Sequence, residues 1–360
     1  MRICVIDESC QLHMLSKLTD CRPDQITALQ NNGSDMEISH GTLCMALLIE
    51  ALNKYRVADR VHITHFSVAD NSGEKSHSGL ITALNYCADN KVDIVSVSIG
   101  VLGRVCAKEM RQILDRMNNT VVVAAEANHF VLTYPAALPQ VIGVKRALKS
   151  GEKYLEWVSN PADGIDLIAD YPDTPVIQKL RERYNYWIGE SNSILVPQIC
   201  AQMAAFFLKD TSIPTKASAL RFLAEKPRVR IAADYRLPEY TRMNSDDQIP
   251  SVLLPYEGEL TDSVLNRVIS LQKAFEREEY ACSILSDLQD ESDFENGWYT
   301  IDTSHLKACL TYYQRVVSDS LLLVLVHKRN SDELPCDLCV EHWMQSETVN
   351  LYSRILKYFS

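Results

Sequence analysis

Val92-Asp-Ile-Val-Ser-Val-Ser-Ile-Gly100, then Ala107–Met117, then Val121-Val-Val-Ala-Ala-Glu-Ala-Asn128 is the stretch that decides the fold. The first segment is β-branched and apolar and closes on glycine. The second spaces its apolar residues for a helix. The third opens with five apolar residues in a row, too short for a helix and too uniformly apolar for a strand with a wet face. Two such strands joined by a helix predict a parallel pair buried on both faces. Working outward, the same alternation recurs. Ile3–Ile6 is a short apolar run ending at Asp7. Gly41–Tyr55 has helical spacing, Val61–Val68 reads as a strand, and Ser78–Asp89 as a helix that Ser78 can cap. Ile194–Leu208 is a further apolar helix. Residues 1–210 therefore predict an α/β fold with a mostly parallel sheet covered by helices on both sides.

The pattern weakens over 211–250, which hold Pro214, Pro227, Pro238 and Pro250 and the polar run Arg242–Gln248. A domain boundary is expected near 240–250, giving a first domain over 1–240 and a second over 250–360. The alternation restarts beyond it. Strands are expected at Val252–Leu254, Ala281–Leu285 and Leu321–His327, and helices at Thr261–Glu278, His305–Val317 and Val349–Phe359. That is a smaller C-terminal α/β domain.

With Lys+Arg 36 against Asp+Glu 47, a net charge of -11 argues against nucleic acid as a main partner. The longest apolar run, Leu321–Val326, is too short to span a bilayer, which excludes an integral membrane protein but not peripheral attachment; no membrane partner is expected. The chain opens directly on a strand-like run, without the pattern of a secretory signal. Its 11 cysteines are scattered, mostly within apolar runs. A cytoplasmic protein with buried thiols is the expectation.

Four residues at strand–helix junctions carry chemistry: Asp7, His40, Asn128 and Ser193. Singly each has an ordinary reading, as a turn, loop or capping residue. Together, Asp, His and Ser in that chain order supply an orienter, a base and a nucleophile. Here a resemblance becomes specific. Val5-Ile-Asp-Glu-Ser9 resembles the aspartate motif of the subtilisin-like serine peptidases, and Ser39-His-Gly-Thr42 their His-Gly-Thr motif. Val92–Gly100 resembles the strand ending in Ser-Leu-Gly that lines their cleft. Ala124-Ala-Glu-Ala-Asn128 is similar to the segment carrying the oxyanion-hole Asn. Tyr134-Pro-Ala136 with Val141-Ile-Gly-Val144, and Asp166-Leu-Ile-Ala169, resemble two further family segments. Ser191-Asn-Ser-Ile-Leu-Val-Pro197 resembles the nucleophile motif. The motifs come in family order over about residues 1–210.

The resemblance implies a three-layer subtilisin-like fold and a serine endopeptidase. Ser193 would be the nucleophile, His40 the base, Asp7 its orienter and Asn128 an oxyanion donor. Ser98, Ile99 and Gly100, with Ala125 and Glu126, would bind substrate. No cofactor or metal is expected. The chain departs from the family pattern at Glu8-Ser9, at Val101 after Gly100, at Ala127, and at Ser191-Asn192, four positions where glycine is usual among them; none is a reacting group, and narrow specificity is the implication. Compact cytoplasmic members resemble leader peptidases that trim ribosomally made, modified peptides, so a dedicated peptide or protein substrate is expected. A general cytosolic peptidase, or an idle peptide-binding subunit of a maturation complex, is the alternative, and self-association is left open.

Three other stretches of the sequence carry chemically suggestive residues. Pro172–Trp187, with Arg181, Arg183, Tyr184, Tyr186 and Trp187, could clamp an acidic leader or be a solvated helix. Leu253–Asp262 lies at a strand–helix junction but lacks the phosphate-loop pattern and its Lys, and Thr261 reads as a helix cap. Cys336, Cys339 and His342, with His305 or Cys309, have partial zinc spacing, although unrelated thiols fit as well. No acidic loop specific for calcium is evident.

Overall fold

The structure is a computed structural model. It describes residues 1–20, 25–30, 38–68, 76–128, 131–147, 155–170, 173–189, 191–226, 229–232, 248–258, 261–288 and 292–359. The expected boundary at 240–250 lies mostly outside these residues, as does Pro172. The chain divides into two compact units.

The first unit runs through β1 (Arg2–Asp7), α1 (Leu12–Leu18), β2 (Ile26–Leu29), α2 (His40–Lys54), β3 (His62–Ser67), α3 (His77–Asp89) and β4 (Ile94–Val97). After β5 (Val101–Leu102), of which only Val101 belongs to this unit, come α4 (Ala107–Leu114), β6 (Val121–Ala125), β7 (Thr133–Tyr134), β8 (Ile142–Arg146), β9 (Leu155–Val158) and β10 (Leu167–Ala169). It ends with α5 (Pro175–Tyr184), α6 (Leu195–Asp210), α7 (Lys216–Ala224) and β11 (Val229–Ala232). Nine strands form one sheet in the order β11-β9-β10-β8-β6-β4-β1-β3-β2. Every pair described is parallel except β9 with β10.

The middle strands are buried on both faces, because β1, β4 and β6 carry apolar residues at odd and even positions alike. Ile3, Val5, Val121 and Val123 share one core with α2 and α6, which pack against each other and against the sheet. The helices α3 and α4 pack together, and α3 lies against β1 and β3. The result is the three-layer α/β fold expected from the sequence. Ser76, not Ser78, caps α3: its hydroxyl accepts from Gly79 N–H at 3.0 Å, and the cap lies two residues earlier than expected. Strand β4 covers only part of Val92–Gly100, ending at Val97, although the Ser98 N–H still donates to the Ile6 carbonyl at 3.2 Å.

The second unit is built mainly from residues 248–360 and takes in residues 102–105. Its elements are β12 (Ser251–Tyr256), α8 (Asp262–Arg277), β13 (Cys282–Ser286), β14 (Trp298–Thr300), α9 (Leu306–Val316), β15 (Leu321–His327), β16 (Leu338–Cys339) and α10 (Thr348–Phe359). They form a parallel five-stranded sheet, β14-β13-β15-β12-β16. Alternate residues of its strands pack with α8 and α10 around buried Trp343. Thr261 takes the cap position of α8 but makes no side-chain cap bond, contrary to expectation. Arg104 binds Asp319 and Glu276 and donates to the Asn296 and Cys282 carbonyls. Among the described residues no helix is long and apolar enough to cross a membrane.

The packing of α2 on α6 is the mechanical base of the first unit. Leu47 is fully buried there. Leu47→Ala is expected to destabilise that unit by about 2–5 kcal/mol, read as a lowered urea midpoint. Ile213, 61% exposed, should change it by less than about 0.5 kcal/mol when replaced by Ala.

Candidate active site

Asp7, Ser98 and Asn128 follow one another across the carboxyl edge of adjacent parallel strands, at or just past the ends of β1, β4 and β6. That edge is where open α/β sheets build sites. The amino ends of α2 and α6 meet it, carrying His40 as the first residue of one and Ser193 two residues before the other.

His40 is held by the turn that starts α2. Ser39 caps the helix through Thr42 N–H, and Gln11 Oε1 accepts from both the Ser39 N–H and its hydroxyl, at 3.0 and 2.7 Å. Gly41 is required because the helix start lies against the chain leaving β1. A Cβ there would meet the Glu8 and Ser9 carbonyl oxygens at 2.5 and 2.6 Å. This close approach brings His40 to Asp7. The imidazole Nδ1 lies 2.8 Å from Asp7 Oδ1 and 3.0 Å from Oδ2, and Nε2 lies 2.7 Å from Ser193 Oγ. Asp7 is fully buried and Ser193 is 6% exposed.

Burial alone would push the Asp7 carboxyl up. The His40 ring and the Glu8 N–H, which donates at 2.7 Å, outweigh it and hold the pKa below its ordinary value. Burial alone would push His40 down, but the Asp7 carboxylate carries it above the ordinary imidazole range. Beneath this pair, His65 is fully buried, and burial lowers its pKa to about 4. Its ring is therefore neutral near pH 7 and adds no charge to the site.

The segment around Ser193 is pinned by Asn192. Its Nδ2 donates to the Glu126 and Ala127 carbonyls at 3.1 Å each, and its Oδ1 accepts from Arg146 N–H at 3.0 Å. The Asn192 N–H donates to Asn128 Oδ1 at 2.9 Å, so the Asn128 amide nitrogen is the end left to donate to a ligand. Ser191 Oγ lies 2.5 Å from Ser193 Oγ. With Ser191 as donor, the Ser193 proton is directed to His40.

The structure thus brings Asp7, His40 and Ser193 into one hydrogen-bonded chain, with Asn128 tied to the Asn192 N–H beside it. No family profile and no curated protein matches the chain. Among solved structures it is similar to a lanthipeptide protease, at 16% identity and TM-score 0.44, over 62% of this chain and 78% of that one. It is also similar to a cold adapted subtilisin-like serine proteinase, at 16% identity and TM-score 0.44, over 65% and 87%. Both likenesses are distant, and the roles below rest on this chain's own side chains.

The expected substrate contacts are narrowed. Gly100 is exposed and Ser98 half-buried, whereas the Ile99, Ala125 and Glu126 side chains are buried. Glu126 points away from Ala125, towards the ion pair of Lys145 with Asp163, and burial raises its carboxyl well above the usual range. Whatever Glu126 offers a ligand comes from its backbone. Sequence reasoning also missed Cys44, whose thiol lies 3.8 Å from His40 Nδ1 and accepts from Ser98 Oγ at 3.4 Å. The i, i+4 spacing from His40 was its signal.

Among the described residues, Asp7, His40 and Cys44 are the only metal-capable groups of three or more that converge. Cys336, Cys339 and His342 do not, and His305 pairs with Asp302 at 2.8 Å. In the 172–187 stretch, Arg181 stacks on Trp187 at 5.3 Å, and Trp187 is 70% exposed. Tyr186 stands near enough to His40 and Asp7 to interact with them electrostatically.

Since Asp7 is what raises His40, Asp7→Asn should leave burial dominant and lower the His40 pKa. Titration of its ring protons by NMR is expected to show that fall, and the acid limb of any His40-dependent rate should move to lower pH.

Proposed function

We propose that the protein is a serine endopeptidase in which Ser193 is the nucleophile, His40 the general base and acid, Asp7 the orienter and Asn128 an oxyanion donor. The observation that carries this reading is the unbroken run of hydrogen bonds from the buried Asp7 through His40 to Ser193.

The chemistry follows from the distances. Ser193 Oγ attacks the scissile carbonyl carbon as its proton passes to His40 Nε2. Charge builds on the carbonyl oxygen, where the Asn128 amide and the Ser193 N–H donate to it. The imidazolium that forms is stabilised by the Asp7 carboxylate, which stays ionised. His40 returns the proton to the leaving amine, and the acyl ester forms on Ser193. Water, deprotonated by His40, then releases the carboxylic acid and restores the serine. Ser98–Gly100, just beyond the end of β4, would pair with an extended peptide as an added strand.

A dedicated peptide substrate, such as the leader of a ribosomally made, modified peptide in the cytoplasm, is the reading for the substrate. Its support is the rigidity around the nucleophile. Where the resembled family commonly has glycine, this chain has Ala127 and Ser191, and the side chain of the adjoining Asn192 ties three backbone groups together. Such a cleft has little freedom to reshape around varied sequences.

The test is cleavage of a peptide library by the purified chain, read by mass spectrometry. Cleavage at few sequences is expected, absent in Ser193→Ala. Asn128→Ala should cut kcat by about 10²–10³ with little change in KM. Equal turnover by Ser193→Ala would refute the mechanism, and cleavage at many unrelated sequences would refute the dedicated substrate.

A further inference from the structure

The strands β4 and β6 lie side by side, with Val97 opposite Ala124. Past them the chain continues as two segments, Ser98–Gly100 and Glu126–Asn128, and Thr133 crosses between the two. On one side its Oγ1 accepts from the Ala127 N–H at 2.9 Å. On the other, its Cβ and Cγ2 lie 3.2 Å from the place a Cβ on Gly100 would occupy. Thr133 is 2% exposed. The hydroxyl bond and the stiff β-branched rotamer leave the methyl one direction, into the space that Gly100 keeps open. Glu126 adds no recess of its own, since its side chain is turned inward to Lys145 and Asp163.

We infer that Thr133 closes the slot between these segments, so that the substrate residue on the acyl side of the scissile bond must be small, glycine or alanine. The inference rests on the reading of Ser193 as the nucleophile. A peptide extended along Ser98–Gly100 with its carbonyl at Ser193 Oγ and Asn128 directs that residue's side chain between the two segments. A glycine or alanine fits against the Thr133 methyl. A larger side chain overlaps it, and a buried Thr bonded to backbone cannot swing aside without losing its partner.

The test uses peptidyl diphenyl phosphonates that differ only at the acyl-side residue, alanine or leucine, on the intact chain. Ser193 Oγ bonds to phosphorus, phenol leaves, and intact mass follows the rate. Wild type is expected to react with the alanine probe about 10²-fold faster than with the leucine probe. Thr133→Ser keeps the bond to Ala127 and removes the methyl, and should reduce that ratio by about tenfold; Thr133→Gly should reduce it further. A simple alkyl fluorophosphonate, with no side chain to seat, reports whether each variant still holds a reactive serine. Equal wild-type rates with both probes would overturn the inference. So would an unchanged ratio in Thr133→Ser that still reacts with the fluorophosphonate. If the variants lose that reactivity, the wild-type ratio alone decides. A wild type inert to the fluorophosphonate would instead sink the reading of Ser193, and the inference with it.

Discussion

A carboxylate fully removed from water needs compensation, and Asp7 at the end of β1 is such a group. It takes one hydrogen bond from its own chain, the Glu8 N–H, and two contacts from His40 Nδ1. The requirement fixes more than one residue. It sets where α2 begins, which way the imidazole faces, and therefore where Nε2 meets the hydroxyl of Ser193. The same attraction raises the basicity of His40, so structural need and proton-accepting capacity have one origin.

That geometry is only as good as its supports. α2 and α6 share one apolar interface and one face of the sheet, and each delivers a polar residue at its amino end. Gly41 lets α2 approach the chain after β1 without a clash, and Asn192 locks the approach to α6 onto the ends of β6 and β8. The polar residues around Ser193 thus hold the backbone through side chains whose bonds are satisfied. Such a site is preorganised.

The layered fold was legible because its strands are continuous apolar runs and its helices periodic ones. Strand β15 falls where Leu321–His327 was expected, and most other elements within two or three residues. Local capping was less legible. Ser76 and Ser78 are chemically alike as caps, and only the path of the chain selects Ser76. Asp7, His40 and Ser193 were legible because each sits in a short motif at an element end. His65, Gln11 and Thr133 were not, since their places near these residues arise from packing between segments far apart in sequence. The buried direction of Glu126 was readable in principle. Strand alternation puts it on the face of Ala124, opposite Ala125.

The central claim is that Asp7 and His40 activate Ser193. Phosphonylation of the wild-type chain by an alkyl fluorophosphonate, mapped by peptide mass spectrometry, tests it most directly. One adduct on the peptide holding Ser193, formed far faster than on any other serine, is the result this account predicts. A folded chain that stays unmodified, or one modified elsewhere, would contradict it.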